Sequence, residues 1–174
     1  MRSHRLVIFL LITLGSIFAF SSCVTPMRVA ECEINPAQAL LNEMNRARSQ
    51  EGAPLLWANV RLASAAASHA QALAEGRASG HIGADGSDPL TRIEEAGYLP
   101  RGFGENVAIG ALAPELIVKA WLESPAHREI LLEPSYLEVG LGAVLDSDRP
   151  IWVADFGSER EPPKTKCHPW PTQR

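Results

Sequence analysis

Hydrophobic and polar positions recur in two rhythms along the chain, helical up to about residue 132 and strand-like beyond residue 138. Asn35-Pro36 reads as an N-cap followed by proline at the first helical position, and Leu40, Leu41, Met44 and Ala47 then repeat at helical spacing. This predicts a helix to about Gln50, stopped at Gly52. A second cap at Asn59 opens an alanine-rich helix with Leu62, Ala66, His69, Ala70 and Leu73 on one stripe, ending near Gly76. Asp88-Pro89 opens a third, with Leu90, Ile93 and Glu94 before Gly97, and Ala113-Pro114 a fourth, through Leu116, Ile117, Ala120 and Trp121. Ser124-Pro125 interrupts that helix, because proline cannot continue the ladder but can begin a new short helix, with His127 in its first turn.

The last third changes period. Residues 138–144 read as a strand, Asp146 to Pro150 as a polar turn, and residues 151–157 as the antiparallel partner. Residues 107–110 are expected to add a short edge strand. Helices on a small antiparallel sheet make an α+β domain. No internal repeat is visible, and no low-complexity stretch beyond a Pro-containing tail, 158–174.

The N-terminus has a different character. Arg2, His4 and Arg5 precede an apolar run from Leu6 to Phe20, short for a membrane span and suited to the core of a signal peptide. Small residues directly before a cysteine, Ser21-Ser22-Cys23, resemble a bacterial lipobox, although Phe20 stands where a small aliphatic residue is usual. On this reading residues 1–22 are removed, and Cys23 is lipidated with acyl chains such as palmitate. Each buried methylene adds about 0.8 kcal/mol, so several chains would anchor the protein to a membrane. An ordinary secretory signal cut nearby is the alternative. Val24 rather than Asp follows the cysteine, which in a Gram-negative cell resembles lipoproteins sorted to the outer membrane. Residues 23–35 then read as a linker.

Loss of Arg2 and Arg5 leaves 14 basic against 20 acidic residues, a net charge of −6. That balance keeps a domain soluble and argues against nucleic acid as a partner, since phosphate affinity needs a basic face. Export to an oxidising compartment favours a disulfide between Cys32 and Cys167, which flank the patterned region. It would close a loop worth about 4 to 5 kcal/mol in the chain-entropy account, less any strain. The alternatives are two free thiols, or a reactive pair of Cys167 with His168 on a tail too irregular to hold a catalytic geometry.

Candidate chemistry gathers in three segments: Ser79-Gly80-His81, Gly104 to Ala108 with Glu105 and Asn106, and Ser124 to Leu132 with His127. Two imidazoles and a carboxylate can bind a metal, move a proton or form a buried polar network. Glu105 and Asn106 are as well explained by structural hydrogen bonds as by catalysis. The helix dipole disfavours a charged His127, which suits a neutral imidazole. His69 reads as a satisfied core histidine, Arg128 and Glu129 as a solvated helix face, and Trp57, Trp121 and Trp152 as core.

Taken in order, these segments resemble the CAP superfamily, or SCP domain, of cysteine-rich secretory, antigen 5 and pathogenesis-related 1 proteins, in its short bacterial form. The resemblance runs over residues 36–157, and includes Leu56-Trp57, the Trp121 helix, Ser124-Pro125-Ala126-His127-Arg128 with Ile130-Leu131, and the strand Gly140-Leu141-Gly142. It implies an α-β-α sandwich with a polar cleft lined by His81, Glu105, Asn106 and His127. Two departures stand out. Many members carry a Glu three residues after the helical Trp, where this chain has Ser124, with Glu123 about 100° round the helix. The polar pair common on the final strand is Val153-Ala154 here, which implies a more apolar cleft.

Two function classes follow. The first is an extracytoplasmic binding module whose cleft holds a small lipid, an envelope component or a divalent cation such as Zn²⁺ on His81 and His127. The second is a metal-dependent hydrolase with Glu105 as ligand or base. Catalytic zinc usually takes three protein ligands plus water. Here the third is Glu105, which leaves no base unless another acid such as Asp85 contributes. The chain has no His-Glu-x-x-His and no Gly-x-Ser-x-Gly, so the binding module is preferred.

Overall fold

Asn35 caps the first helix as its sequence suggests, its side chain accepting from the Ala37 amide at 2.9 Å ahead of α1, Pro36–Gln50. The computed structural model describes residues 35–159 except 112 and 147. The signal segment, Cys23, Cys32, Cys167 and the tail from 160 onward lie outside the described residues. After α1 come β1 (Trp57–Ala58), α2 (Val60–Ala74), α3 (Pro89–Glu95), β2 (Pro100–Ile109), α4 (Pro114–Glu123), α5 (Pro125–Leu132), β3 (Glu138–Val144) and β4 (Ile151–Glu159).

The strands form one sheet in the order β1-β3-β4-β2. β2, β4 and β3 are antiparallel, and the two-residue β1 runs parallel to β3. The sheet is therefore mixed at one edge. β2 is ten residues long and pairs with β4 from Pro100 to Ile109, well beyond the short edge strand expected at 107–110. Its glycines and the polar pair Glu105-Asn106 hide the alternation that would mark it as a strand.

Helices cover both faces. One core joins α1, α4 and α5 to the sheet through Leu40, Met44, Ile117, Trp121, Trp152 and Phe156. On the opposite face Leu62, Ala66 and Ala70 of α2 meet Ile93, Tyr98, Ile151 and Val153. The result is the α-β-α sandwich. Here α2 lies almost flush on β3: a Cβ on Gly140 would come within 2.0 Å of backbone atoms of Leu62 and Ala63, and one on Gly142 within 2.3 Å of Ala66 and Ala67.

Arg48 fastens α1 to the α5–β3 connection. Fully buried, it donates to the carbonyls of Pro54 (2.6 Å), Leu131 (2.7 Å), Glu133 (3.2 Å) and Tyr136 (2.9 Å). Trp121 and Trp152 are core residues as expected, but Trp57 is 61% exposed. It sits on the short edge strand β1, where β3 is its one strand neighbour.

Candidate functional site

The register of β2 decides which residues can meet. Glu105 stands opposite Asp155 of β4, which in turn stands opposite Gly140 of β3. Side chains alternate across a strand, so Phe103, Glu105 and Val107 face α2 and α3, while Gly104, Asn106 and Ala108 face α4 and α5. The contacts agree: a Cβ on Gly104 would strike Ile130 and Tyr136, and Asn106 Nδ2 donates to the His127 carbonyl at 3.0 Å. The neighbours Glu105 and Asn106 thus organise opposite flanks of one edge strand.

On the first flank, the Ser-Gly-His segment is a tight turn. Ser79 and Ile82 exchange backbone hydrogen bonds at 3.0 Å, and Gly80 takes φ +57°, a conformation that favours glycine. The turn directs His81 Nδ1 to Glu105 Oε1 at 2.7 Å. The second carboxylate oxygen of Glu105 accepts from Arg92 Nη2 at 2.6 Å. Arg92 also donates from Nη1 to the carbonyls of His81 (3.1 Å) and Ser87 (2.9 Å), holding the turn against α3. Glu105 is 1% exposed at its side chain and Arg92 8%, whereas half of the His81 side chain is open to solvent.

The bond to a carboxylate fixes His81 with a proton on Nδ1 and leaves Nε2 as the ring nitrogen not engaged by Glu105. A carboxylate orienting an imidazole in this way is the arrangement found behind histidines that ligate metals. His69 is buried as expected, its Nε2 at 2.9 Å from the Gly80 carbonyl and 3.9 Å from Glu105 Oε1. Its Nδ1 has no hydrogen-bond partner among the described residues.

Asp155 completes the first flank from below. It is fully buried, and burial, followed by the negative charge and hydrogen-bonding capacity of Glu105, pushes its carboxyl well above the usual range, with Arg92 opposing. Neither of its oxygens meets a donor among the described residues. The apolar cleft implied by Val153-Ala154 thus does not extend to Glu105: those two are core residues, and Asp155 beside them brings a further acid.

On the second flank, His127 lies in the first turn of α5, with Nδ1 2.8 Å from Ser124 Oγ. Ser124, at the position where a Glu is common, thus serves the imidazole. Glu123 points into solvent beside Lys119, 3.8 Å away. Burial and then the nearness of His81 hold the His127 pKa below its ordinary value, so the ring is neutral at neutral pH. Asp85 lies apart from the two imidazoles, accepting from the Ser87 amide at 2.9 Å. Among the described residues no three of His, Cys, Asp and Glu come together as a metal site. With Glu105 engaged by Arg92, the donor set is two imidazoles, one short of the usual catalytic zinc.

The profile of the cysteine-rich secretory protein family, CAP, matches residues 41–156, the region that contains this whole arrangement. The chain belongs to that family. It is 29% identical over 112 residues to the uncharacterized protein YkwD of Bacillus subtilis, a match that covers 64% of this chain and 43% of that relative, so the chain spans less than half of the relative's length. An outer surface protein from Borrelia burgdorferi is similar in structure, with a TM-score of 0.66 and 25% identity over 72% of this chain and 93% of the other. An extracellular protein containing an SCP domain from Bacillus anthracis shares the fold, with a TM-score of 0.61 and 20% identity over 72% of this chain and 44% of the other.

Arg92 and Asp155 are the site residues that motif reading does not reach. Asp155 left a signal, a lone acid in the apolar run from Ile151 to Phe156. Arg92 left none, because its partners come from two distant segments.

Proposed function

We infer that this CAP domain is an extracytoplasmic binding module in which Glu105 is frame and the imidazole edges of His81 and His127 are the groups offered to a ligand. The observation that carries this is the commitment of Glu105. With one oxygen on His81, the other on Arg92, and its side chain almost fully buried, it cannot reach a substrate or activate a water. Two imidazoles offering their Nε2 atoms suit a divalent cation such as zinc, whose remaining positions would be filled by water or by the polar head of a small lipid or envelope component. The metal-dependent hydrolase is the weaker reading, because it needs Glu105 as third ligand or as base and the base would then be missing.

Placement outside the cytoplasm is supported by the signal-like N-terminus and by the similarity to an outer surface protein. Lipidation at Cys23 would hold the domain at a membrane, and among the described residues no helix is long and apolar enough to cross one. Calorimetric titration of Zn²⁺ at neutral pH tests the cation. Micromolar or tighter binding, lost in His81→Ala and in His127→Ala, is expected. Absence of binding, with the variants merely less stable, would make the imidazoles structural and redirect the search to lipid and envelope ligands.

A further inference from the structure

Of the large apolar side chains exposed among the described residues, four gather at one edge of the sheet: Leu55, Trp57, Val60 and Leu137, each 46 to 80% exposed. Leu55 and Trp57 flank the buried Leu56, and alternation along an extended segment turns both away from the core. Asn45 of α1 holds that segment in place, its side chain accepting from the Leu56 amide at 2.7 Å and donating to the Leu56 carbonyl at 3.0 Å. The Trp57 amide donates to the Leu137 carbonyl at 2.9 Å, which sets Leu137 alongside, and Val60 opens α2 two residues beyond β1. Single exposed apolar residues need no explanation, but a cluster of them around a tryptophan marks an interaction surface.

The edge itself narrows the partner. β1 offers another chain only two residues to pair with, fewer than strands normally use, so the cluster does not suit extension of the sheet into a second copy. A lipid interface demands no hydrogen-bond register, and tryptophan with aliphatic neighbours is favoured there. The acid at this edge, Glu138, is turned to the Tyr98 hydroxyl (2.6 Å) and the Asn59 amide (3.0 Å), so its carboxylate is satisfied within the protein. The chain also enters the domain at this place. Asn35, ahead of α1, walls a small cavity together with Ala58 and Val60. Cys23 stands twelve residues before Asn35, a reach of at most about 40 Å.

We propose that Leu55, Trp57, Val60 and Leu137 dock the domain on a lipid bilayer, with Trp57 at the boundary between headgroups and acyl chains. The proposal rests on the reading of Cys23 as a lipid anchor and extends it from a tether to a defined docking face. β1 and β2 are opposite edges of the sheet, so docking through β1 leaves the β2 edge, with His81 and His127, open to the medium.

The test is tryptophan fluorescence of the full-length protein, isolated from the producing cells and combined with an excess of phosphatidylcholine vesicles that carry brominated acyl chains. Mass spectrometry of the same sample reads acylation of Cys23, so a failure of the anchor is seen separately from a failure of the docking face. Trp57→Phe keeps an apolar ring and identifies the Trp57 signal by difference. Quenching of that signal in the wild type, lost in Leu55→Ser/Val60→Ser, is expected. Equal quenching in wild type and Trp57→Phe, or quenching undiminished in Leu55→Ser/Val60→Ser, would overturn the proposal. So would shielding of Trp57 in the absence of vesicles together with a dimer seen by light scattering, which would assign the face to a second copy of the chain.

Discussion

Glu105 and Asp155 stand opposite each other on β2 and β4, both buried, and Arg92 is bonded to Glu105 alone of the two. Arg92 pairs with Glu105, and burial together with the Glu105 charge pushes the Asp155 carboxyl well above its ordinary range. Because the folded-state pKa of Asp155 lies above the ordinary 3.8, this carboxyl favours the fold below pH 3.8, and that contribution is lost as pH rises through the raised value. Asp155→Asn mimics the protonated form and removes the loss. Urea unfolding across a pH series is expected to show the variant gaining on the wild type as pH rises above the ordinary 3.8. Parallel curves would mean that Asp155 is ionised in the fold.

The Arg92–Glu105 pair is expected to be costly to break from either side. Arg92→Met leaves a buried carboxylate unpaired and loosens the His81 turn, a loss of about 3 to 5 kcal/mol in chemical denaturation. The double variant Arg92→Met/Glu105→Gln removes the stranded charge and should recover part of that loss.

His127 should report on His81. Its pKa is held down by burial first and by His81 second, so His81→Asn is expected to move the His127 titration to higher pH, followed by NMR. For the fold, a histidine with a lowered pKa contributes stability that is present above its ordinary 6.5 and is lost as pH falls through the lowered value. His127→Asn should therefore flatten the acid side of the stability curve.

Gly140 and Gly80 are required by different physics, and substitution separates them. Gly140→Ala drives a methyl into the backbone of α2 and is expected to cost about 3 kcal/mol or more. Gly80→Ala meets no atom within 4 Å but sits at positive φ, a cost of about 1 to 2 kcal/mol. Thermal unfolding of the two variants gives the order directly.

The helices were legible because each announces itself locally. Asn35, Asn59 and Asp88 all accept backbone hydrogen bonds as caps, and Leu40, Leu41, Met44 and Ala47 are the buried apolar face of α1. The meeting of His81 with Glu105 was accessible through motif order, which stands in for the long-range geometry that periodicity lacks. What escaped was set by pairing between distant segments. The full length of β2 depends on β4, the exposure of Trp57 on its place at a sheet edge, and the roles of Arg92 and Asp155 on which side chains the register brings under Glu105.

Glu105 holds His81 by Nδ1, and the proposed binding reading stands on that relationship, with Nε2 as the atom offered to a ligand. Long-range ¹H–¹⁵N NMR of the imidazole at neutral pH tests it most directly. His81 is expected as the Nδ1–H tautomer, with an unprotonated Nε2, and that preference is expected to be lost in Glu105→Gln. A His81 protonated on Nε2 alone would set a lone pair against the carboxylate, and would contradict both the frame and the binding site built on it.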